Sequence, residues 1–483
     1  MAKYGQRNLV LSWLLLGWLA VALALLALAY ALTMFGQTFD WVHPLKDIPA
    51  IPLTLGYVTA STCFAFLAYL IPKANEAGWD RSGRFLLFTI TVGLALRIIL
   101  LFSVPALEDD FYRYLWDGGV TAQGLNPYAH APGAIYNPGV TEKLRDLALQ
   151  SGVVIERVNH PHLKTIYPPI AQAWFATAYF LEPWSLLVWR GIGLVCEFAT
   201  LTLLLLLLKE CKRSPIWVTL YWWNPVIAKE LINSAHMEFV LLPLLLCALW
   251  LGVRRAYVAA LIPLALAVGT KLWPVMLLPL VLRPLMQTPA RFCVAALIFG
   301  GLCLMWAIPP YLGGIDETSG FVAFARHWQT NSALFQNLNA FAQGSAASVG
   351  FAAETVNLLV RLSLAGAVGC IALAASRPHY TQPQDFMIAA AWVIGAQFLL
   401  SPVQFPWYAS WIFILLPFIP LPGLIAIAVT IPIYYVSFYF AAMGRYDLFN
   451  AYVLWIIWIP VWFLLARDAW RAWRQPLNWN ADA

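Results

Sequence analysis

Charge is what this chain lacks first. Only 11% of its 483 residues are Asp, Glu, Lys or Arg, against 61% hydrophobic and 15% aromatic, and the mean hydropathy is +0.72. So few charged groups cannot cover the surface of a water-soluble domain, which excludes that class and leaves a polytopic membrane protein. Cysteine is missing where a framework would need it. All seven (Cys63, Cys196, Cys211, Cys247, Cys293, Cys303 and Cys370) fall in or beside apolar segments, none in the polar stretch after Pro105. A disulfide scaffold and a cysteine metal cluster are therefore excluded. Nucleotide-binding glycine patterns are absent too: there is no GxxxxGK[ST], and no strand followed by GxGxxG. With no Gly/Ser linker, low-complexity segment or internal repeat, the expectation is one integral-membrane unit over residues 1–483.

What is present is a succession of apolar runs. "LVLSWLLLGWLAVALALLALAYAL" and "LLVWRGIGLVCEFATLTLLLLLL" are long enough, at 1.5 Å per residue, for a hydrocarbon core of roughly 30 Å. Backbone groups in lipid must be satisfied within their own segment, so these are read as helices. The first run exceeds a signal-peptide core and is read as a retained anchor. The net charge of +6 resides mostly in short loops, where it sets orientation rather than attracting nucleic acid. Placing Lys3 and Arg7 in the cytoplasm puts "KECKRS", "VRRAY", "RPLMQTPAR", "SRPHYTQPQ" and "ARDAWRAWRQ" there as well. Residues 106–166, "NSAHMEF", residues 312–354, "SPVQFPWY" and "GRYD" then lie outside. About 12 to 14 spans follow, with both termini cytoplasmic. The large outer loop 106–166 carries amphipathic patches that predict short interfacial helices. "YPPIAQAWFATAYFL" is short for a span and reads as a re-entrant or interfacial helix. "AYVAALIPLALAVGTKLWPVMLLPLVLR" reads as a hairpin broken at Lys271.

Four constellations carry candidate chemistry. In "LEDDFYRYLWDGGVTAQGLNPY", Asp110, Arg113 and Asp117 recur at helical spacing on one face, which permits either an arginine-steered carboxylate or an ordinary salt-bridged surface. In "NPVIAKELINSAHMEF", Lys229, Glu230, His236 and Glu238 interrupt an apolar segment, where ionisable groups are costly enough to suggest function. His236 and Glu238, two apart, have poor spacing for a shared metal, and no metal is expected. Lys271 can either pair with a buried acid, Glu230 or Glu238, or hold a phosphate as a point charge. "SPVQFPWYASW", with Gln404, Trp407 and Tyr408, is either interfacial anchoring or an aromatic lining for sugar and isoprenoid. His327 in "HWQTNSALFQN", with Tyr167 and Gln172 in "YPPIAQ", adds outer polar groups suited to hydroxyl-rich ligands. Polar groups gathered outside, with no nucleotide site, call for an activated donor carried by lipid.

These residues resemble a known pattern. "DFYRYLWDGGVTAQGLNPY", "IYPPIAQ", "WWNPVIAKELINSAHME", "GTKLWPVMLLP", "HWQTNSALF" and "SPVQFPWY" occur in the order found in bacterial GT-C glycosyltransferases that use polyprenyl-phosphate sugars, the alpha-mannosyltransferase group in particular. The resemblance implies an all-α GT-C membrane fold that transfers a hexose, most closely mannose, from a polyprenyl-phosphate carrier to an acceptor hydroxyl on the extracytoplasmic face, with inversion. The setting it implies is the bacterial inner membrane, in glycolipid or cell-envelope glycan synthesis. The acceptor is a glycolipid, a glycan or a protein, and no cofactor is required. Asp110 is the implied general base, with Asp109 its rival and Glu108 or Arg113 positioning it. Lys271 is the first candidate for the leaving phosphate, helped by Arg113 and His236. The chain departs from the pattern at Phe405, where the family has histidine, and at Gly119, where it has arginine. Competing readings are a ligase or polymerase of lipid-linked glycans, and a transporter or flippase of a lipid-linked sugar.

Overall fold

Apolar sequence fixes the backbone's options: a chain this poor in charge satisfies its amides by helix formation. In a computed structural model that describes residues 2–347 and 350–474, helix follows helix. One isolated parallel bridge, Thr330 to Val403, is the sole β-pairing among the described residues. Eight segments among them are long and apolar enough to cross a bilayer: Leu11–Met34, Ala50–Glu76, Gly83–Leu101, Leu186–Glu210, Pro289–Leu312, Ala353–Ala375, Pro422–Ala442 and Tyr446–Ala472. Glu238–Val253 and Tyr257–Thr270 are shorter apolar helices. The protein is a polytopic all-helical membrane protein.

Contacts divide the chain into two compact units. The first comprises Met1–Leu107, Leu201–Ser234 and Phe405–Ala483. Its core holds Trp18, fully buried, with Phe85 and Trp223 edge-on at 4.9 and 5.5 Å between ring centroids. Arg97 is also buried, and its charge is satisfied locally. Its Nη1 donates to the carbonyls of Gly93 (3.0 Å) and Trp222 (2.8 Å), and the guanidinium lies 3.5 Å from the Trp222 ring centroid. Gly93 is required there, since a Cβ would sit 2.1 Å from the indole. A π-helix, Ala228–Asn233, carries Lys229 and Glu230 into this core. Glu230 accepts from Tyr57 (3.3 Å) and Tyr435 (3.0 Å), and Lys229 lies 3.3 Å from its Oε2 and over the Tyr435 ring. Every charge in the cluster is thus met by an opposite charge or a hydroxyl, the condition under which buried ions are tolerated. At the end of the π-helix Asn233 donates to Ser103 Oγ and the Val104 carbonyl and accepts from the Ala106 amide, fixing the chain just before the acidic stretch.

The second unit comprises Glu108–Thr200 and Ala235–Gln404. Its residues 108–166 include the amphipathic helices Asp110–Ala122 and Glu142–Ser151. The short segment after the loop is the helix Pro169–Leu181, packed on Asp110–Ala122. The two approach so closely at Gly118 that a Cβ would lie 2.4 Å from the Phe175 carbonyl oxygen. The hairpin is broken where expected: Tyr257–Thr270 stops and Lys271 is extended, with φ −153 and ψ 136, before a 3-10 turn from Trp273 to Leu277. Lys164 ties the loop before Pro169 to the segment after Leu312 through Asp316 (2.7 Å) and the Thr318 carbonyl.

Candidate functional site

The acids of the opening motif sit where a helix begins. Asp109 is the residue before the Asp110–Ala122 helix and Asp110 lies in its first turn, where the helix dipole favours negative charge. Asn159, from the far end of the loop, donates Nδ2 to Asp110 Oδ1 (2.5 Å) and Asp109 Oδ1 (3.2 Å). His236 is fully buried, with Nδ1 3.6 Å from Asp110 Oδ2 and Nε2 3.5 Å from Glu108 Oε2. Those separations are long for strong hydrogen bonds but short for Coulomb attraction in a dry site. The imidazole therefore bridges two carboxylates from the same tripeptide. Its presentation is built locally: Ala235 adopts φ +61, and Trp189 Nε1 holds the Ala235 carbonyl at 2.9 Å. A non-glycine residue in that region is strained, and such strain gathers at functional sites.

The three acids differ in proton affinity. Burial, and then the charges of Asp110 and Glu108, push Asp109 up to about 7. Asp110 is pushed up by burial, but the contact and charge of His236 outweigh this and hold it below the usual carboxylate range. Burial opposes the imidazolium, yet the close contacts and charges of Asp110 and Glu108 push His236 up to about 10. At neutral pH the cluster thus has an ionised Asp110, a cationic His236, and an Asp109 near its midpoint.

Lys271, at the helix break, pairs with Glu238 Oε1. Glu238 is 1% exposed, and its Oε2 has no hydrogen-bond partner among the described residues. Burial pulls Lys271 down, while Glu238 and Asp110 act in the opposite direction, so Lys271 lies within electrostatic reach of Asp110. Asp110 and His236, with the Lys271–Glu238 pair within electrostatic reach, make up the candidate basin.

Other expected residues are placed elsewhere. Arg113 donates to Asp117 (3.1 Å) and to the Leu163 carbonyl (2.9 Å), and Gln172 donates to Asp117 (3.1 Å), Thr165 (3.0 Å) and the Tyr167 carbonyl. This buried network joins the helix, the loop and Pro169–Leu181, so Arg113, Gln172 and Asp117 frame the acidic cluster. Tyr167 meets Tyr114 edge-on at 5.1 Å. Gln404 donates its amide to the carbonyls of Phe398 and Leu399. His327 is exposed at the end of the helix Gly320–His327. Trp407 and Tyr408 belong to the first unit, where Trp407 stacks on Phe405 at 4.2 Å and Tyr408 on Trp411 at 4.6 Å. The two departures from the family pattern have local structure. Phe405 supplies that stacking partner, and at Gly119 a Cβ would lie 2.5 Å from the Trp184 ring, which leaves no room for arginine. Asn159 was not legible from sequence, since "VNHPH" carries no spacing that links it to Asp109.

The profile of the family described as "Alpha-(1->6)-mannopyranosyltransferase, N-terminal domain" matches residues 14–287, a span that includes Glu108, Asp109, Asp110, Asn159, His236, Glu238 and Lys271. A curated relative, "Alpha-(1->6)-mannopyranosyltransferase A" of Mycobacterium tuberculosis, is 22% identical over 345 residues, covering 65% of this chain and 61% of its own length. The chain thus spans less than two thirds of that relative. No solved structure matches the chain significantly.

Proposed function

We propose, from the premise that this chain belongs to the alpha-(1->6)-mannopyranosyltransferase family, that it is a membrane mannosyltransferase that takes its sugar from a polyprenyl-phosphate carrier. The observation that supports this best is the buried contact of His236 with Asp110, with Lys271, paired to Glu238, within electrostatic reach of the same carboxylate. Transfer to a hydroxyl needs a group that accepts a proton and groups that hold the departing phosphate, and this basin supplies both.

In the proposed step the acceptor oxygen attacks the anomeric carbon from the face opposite the phosphate. Asp110 takes the acceptor's proton, the anomeric carbon–oxygen bond breaks, and polyprenyl phosphate leaves with the bonding pair, inverting the centre. Lys271 offsets the negative charge that builds on the phosphate as it leaves as a monoester, and Glu238 holds the lysine in place. His236 keeps Asp110 ionised. Asp109 is the rival base, because its affinity near neutrality is well matched to proton transfer. The donor diester carries one negative charge and the departing monoester two, which Lys271 and His236 are proposed to offset without a metal. In this reading the eight long helices and two shorter apolar ones, with further short segments such as Pro169–Leu181 and Pro383–Leu399, make about 12 to 14 crossings of a bacterial cytoplasmic membrane. The basin faces the extracytoplasmic side, both termini are cytoplasmic, and the acceptor is a glycolipid, glycan or protein.

The test is reconstitution of the protein in proteoliposomes with radiolabelled polyprenyl-phosphate mannose and a mannoside acceptor. Label should pass to the acceptor without net movement of the carrier across the bilayer. Carrier movement without transfer would make the protein a flippase.

A further inference from the structure

The helix Ala353–Ala375 is a candidate span whose apolar window is only 17% buried, so most of its surface faces lipid. Where it ends and the helix Pro383–Leu399 begins, the two enclose an open cleft of about 510 Å³. The walls are apolar, formed by Ile371, Ala374, Ile388 and Trp392, and the Trp392 side chain is exposed. A cleft at the end of a span, flanked by tryptophan, lies at the level where the hydrocarbon core meets the headgroups.

The mouth of the cleft is basic. His379 is on its rim, and Arg377, two residues earlier, is exposed. Arg255 Nη2 donates to the carbonyls of Tyr380 (3.1 Å) and Thr381 (3.3 Å), and the charge of Arg283 reaches the Tyr380 hydroxyl. The rim's one acid is already engaged: Asp385 Oδ2 accepts from the Thr381 amide and hydroxyl and from the Gln382 amide at 2.9 to 3.0 Å, capping its helix. His379 thus lines an apolar slot whose rim residues have Arg255, Arg283 and Arg377 close by, and none of these four takes part in the proposed transfer.

We infer that this cleft is a binding site for an anionic phospholipid, with an acyl chain lying along Ile371, Ala374 and Ile388 and the phosphate held by Arg377 and His379. A zwitterionic lipid brings the same phosphate, but its ammonium offsets the attraction of the basic rim. An anionic headgroup gains from each nearby basic residue.

The test uses the full-length protein in detergent with equimolar dioleoyl-phosphatidylglycerol and dioleoyl-phosphatidylcholine, read by native mass spectrometry. Phosphatidylglycerol should be retained in preference. The preference should fall roughly fivefold in Arg377→Gln and further when His379→Gln is added. Arg84→Gln, an exposed arginine of the first unit, should leave it unchanged. Ala374→Trp fills the slot without altering charge, and it should expel the lipid. Equal retention of both lipids, or a preference that survives Ala374→Trp, overturns the inference.

Discussion

At the scale of single residues, the account turns on His236 between Glu108 and Asp110. Replacing it with Gln leaves two buried carboxylates without their cation, a loss on the order of 3–5 kcal/mol for a buried pair. The sign follows from its raised affinity. A histidine held up to about 10 contributes stability fully below its unfolded value of roughly 6.5, and that contribution fades as pH rises through about 10. The thermal midpoint of His236→Gln should therefore lie well below wild type at pH 6 and approach it above pH 10. The acid limb of its pH–rate profile should also move upward, because Asp110 loses the charge that keeps it ionised. Asp109 behaves in the opposite sense. Its folded affinity near 7 means the ionised form is penalised in the fold, so stability falls as pH rises from about 4 to 7. Asp109→Asn should raise the midpoint at pH 8 and leave it unchanged at pH 3. If Asp109→Asn instead removes activity about a thousandfold, the rival base is the true one.

At the scale of elements, the helix Asp110–Ala122 and its partner Pro169–Leu181 hold the cluster in place. Gly118→Ala forces a Cβ to 2.4 Å from the Phe175 carbonyl, and a backbone obstacle cannot rotate away. A loss of about 2 kcal/mol or more is expected, measured by thermal unfolding in detergent. Gly119→Arg, which restores the family residue, should also destabilise unless Trp184 is reduced at the same time, since the indole fills that space. Asp117→Asn keeps an acceptor for Arg113 but leaves its buried guanidinium without an anion and turns a donor toward Gln172, so the thermal midpoint should fall while the residual folded protein keeps activity within about tenfold of wild type. The helix itself was legible from its spacing, as was the hairpin break at Lys271, because a lone cation between apolar arms cannot continue a lipid-facing helix. The pairings were not. Glu108 and His236 lie 128 positions apart, and nothing in local periodicity says which carboxylate a distant imidazole will meet. Of the two acids offered for Lys271, Glu238 is its partner, while Glu230 is bound by Tyr57, Tyr435 and Lys229.

At the scale of the whole molecule, composition was enough to establish the membrane class, since 11% charge leaves no alternative. It could not foresee the division into two units, because each draws on segments far apart in sequence and no linker marks the boundaries. Trp407 and Tyr408 illustrate this: read in sequence as interfacial anchors or an aromatic lining for sugar and isoprenoid, they pack within the first unit. At this scale the proposed chemistry predicts that chelation with EDTA leaves the rate of transfer unchanged, a measurement that tests the metal-free step directly. The central claim is that Asp110 is the base in sugar transfer from a lipid phosphate. It is tested most directly by the initial rate of label transfer from radiolabelled polyprenyl-phosphate mannose, with wild type and Asp110→Asn at equal membrane abundance. The account predicts a loss of roughly a hundredfold to ten-thousandfold in Asp110→Asn, and equal rates in the two proteins would contradict it.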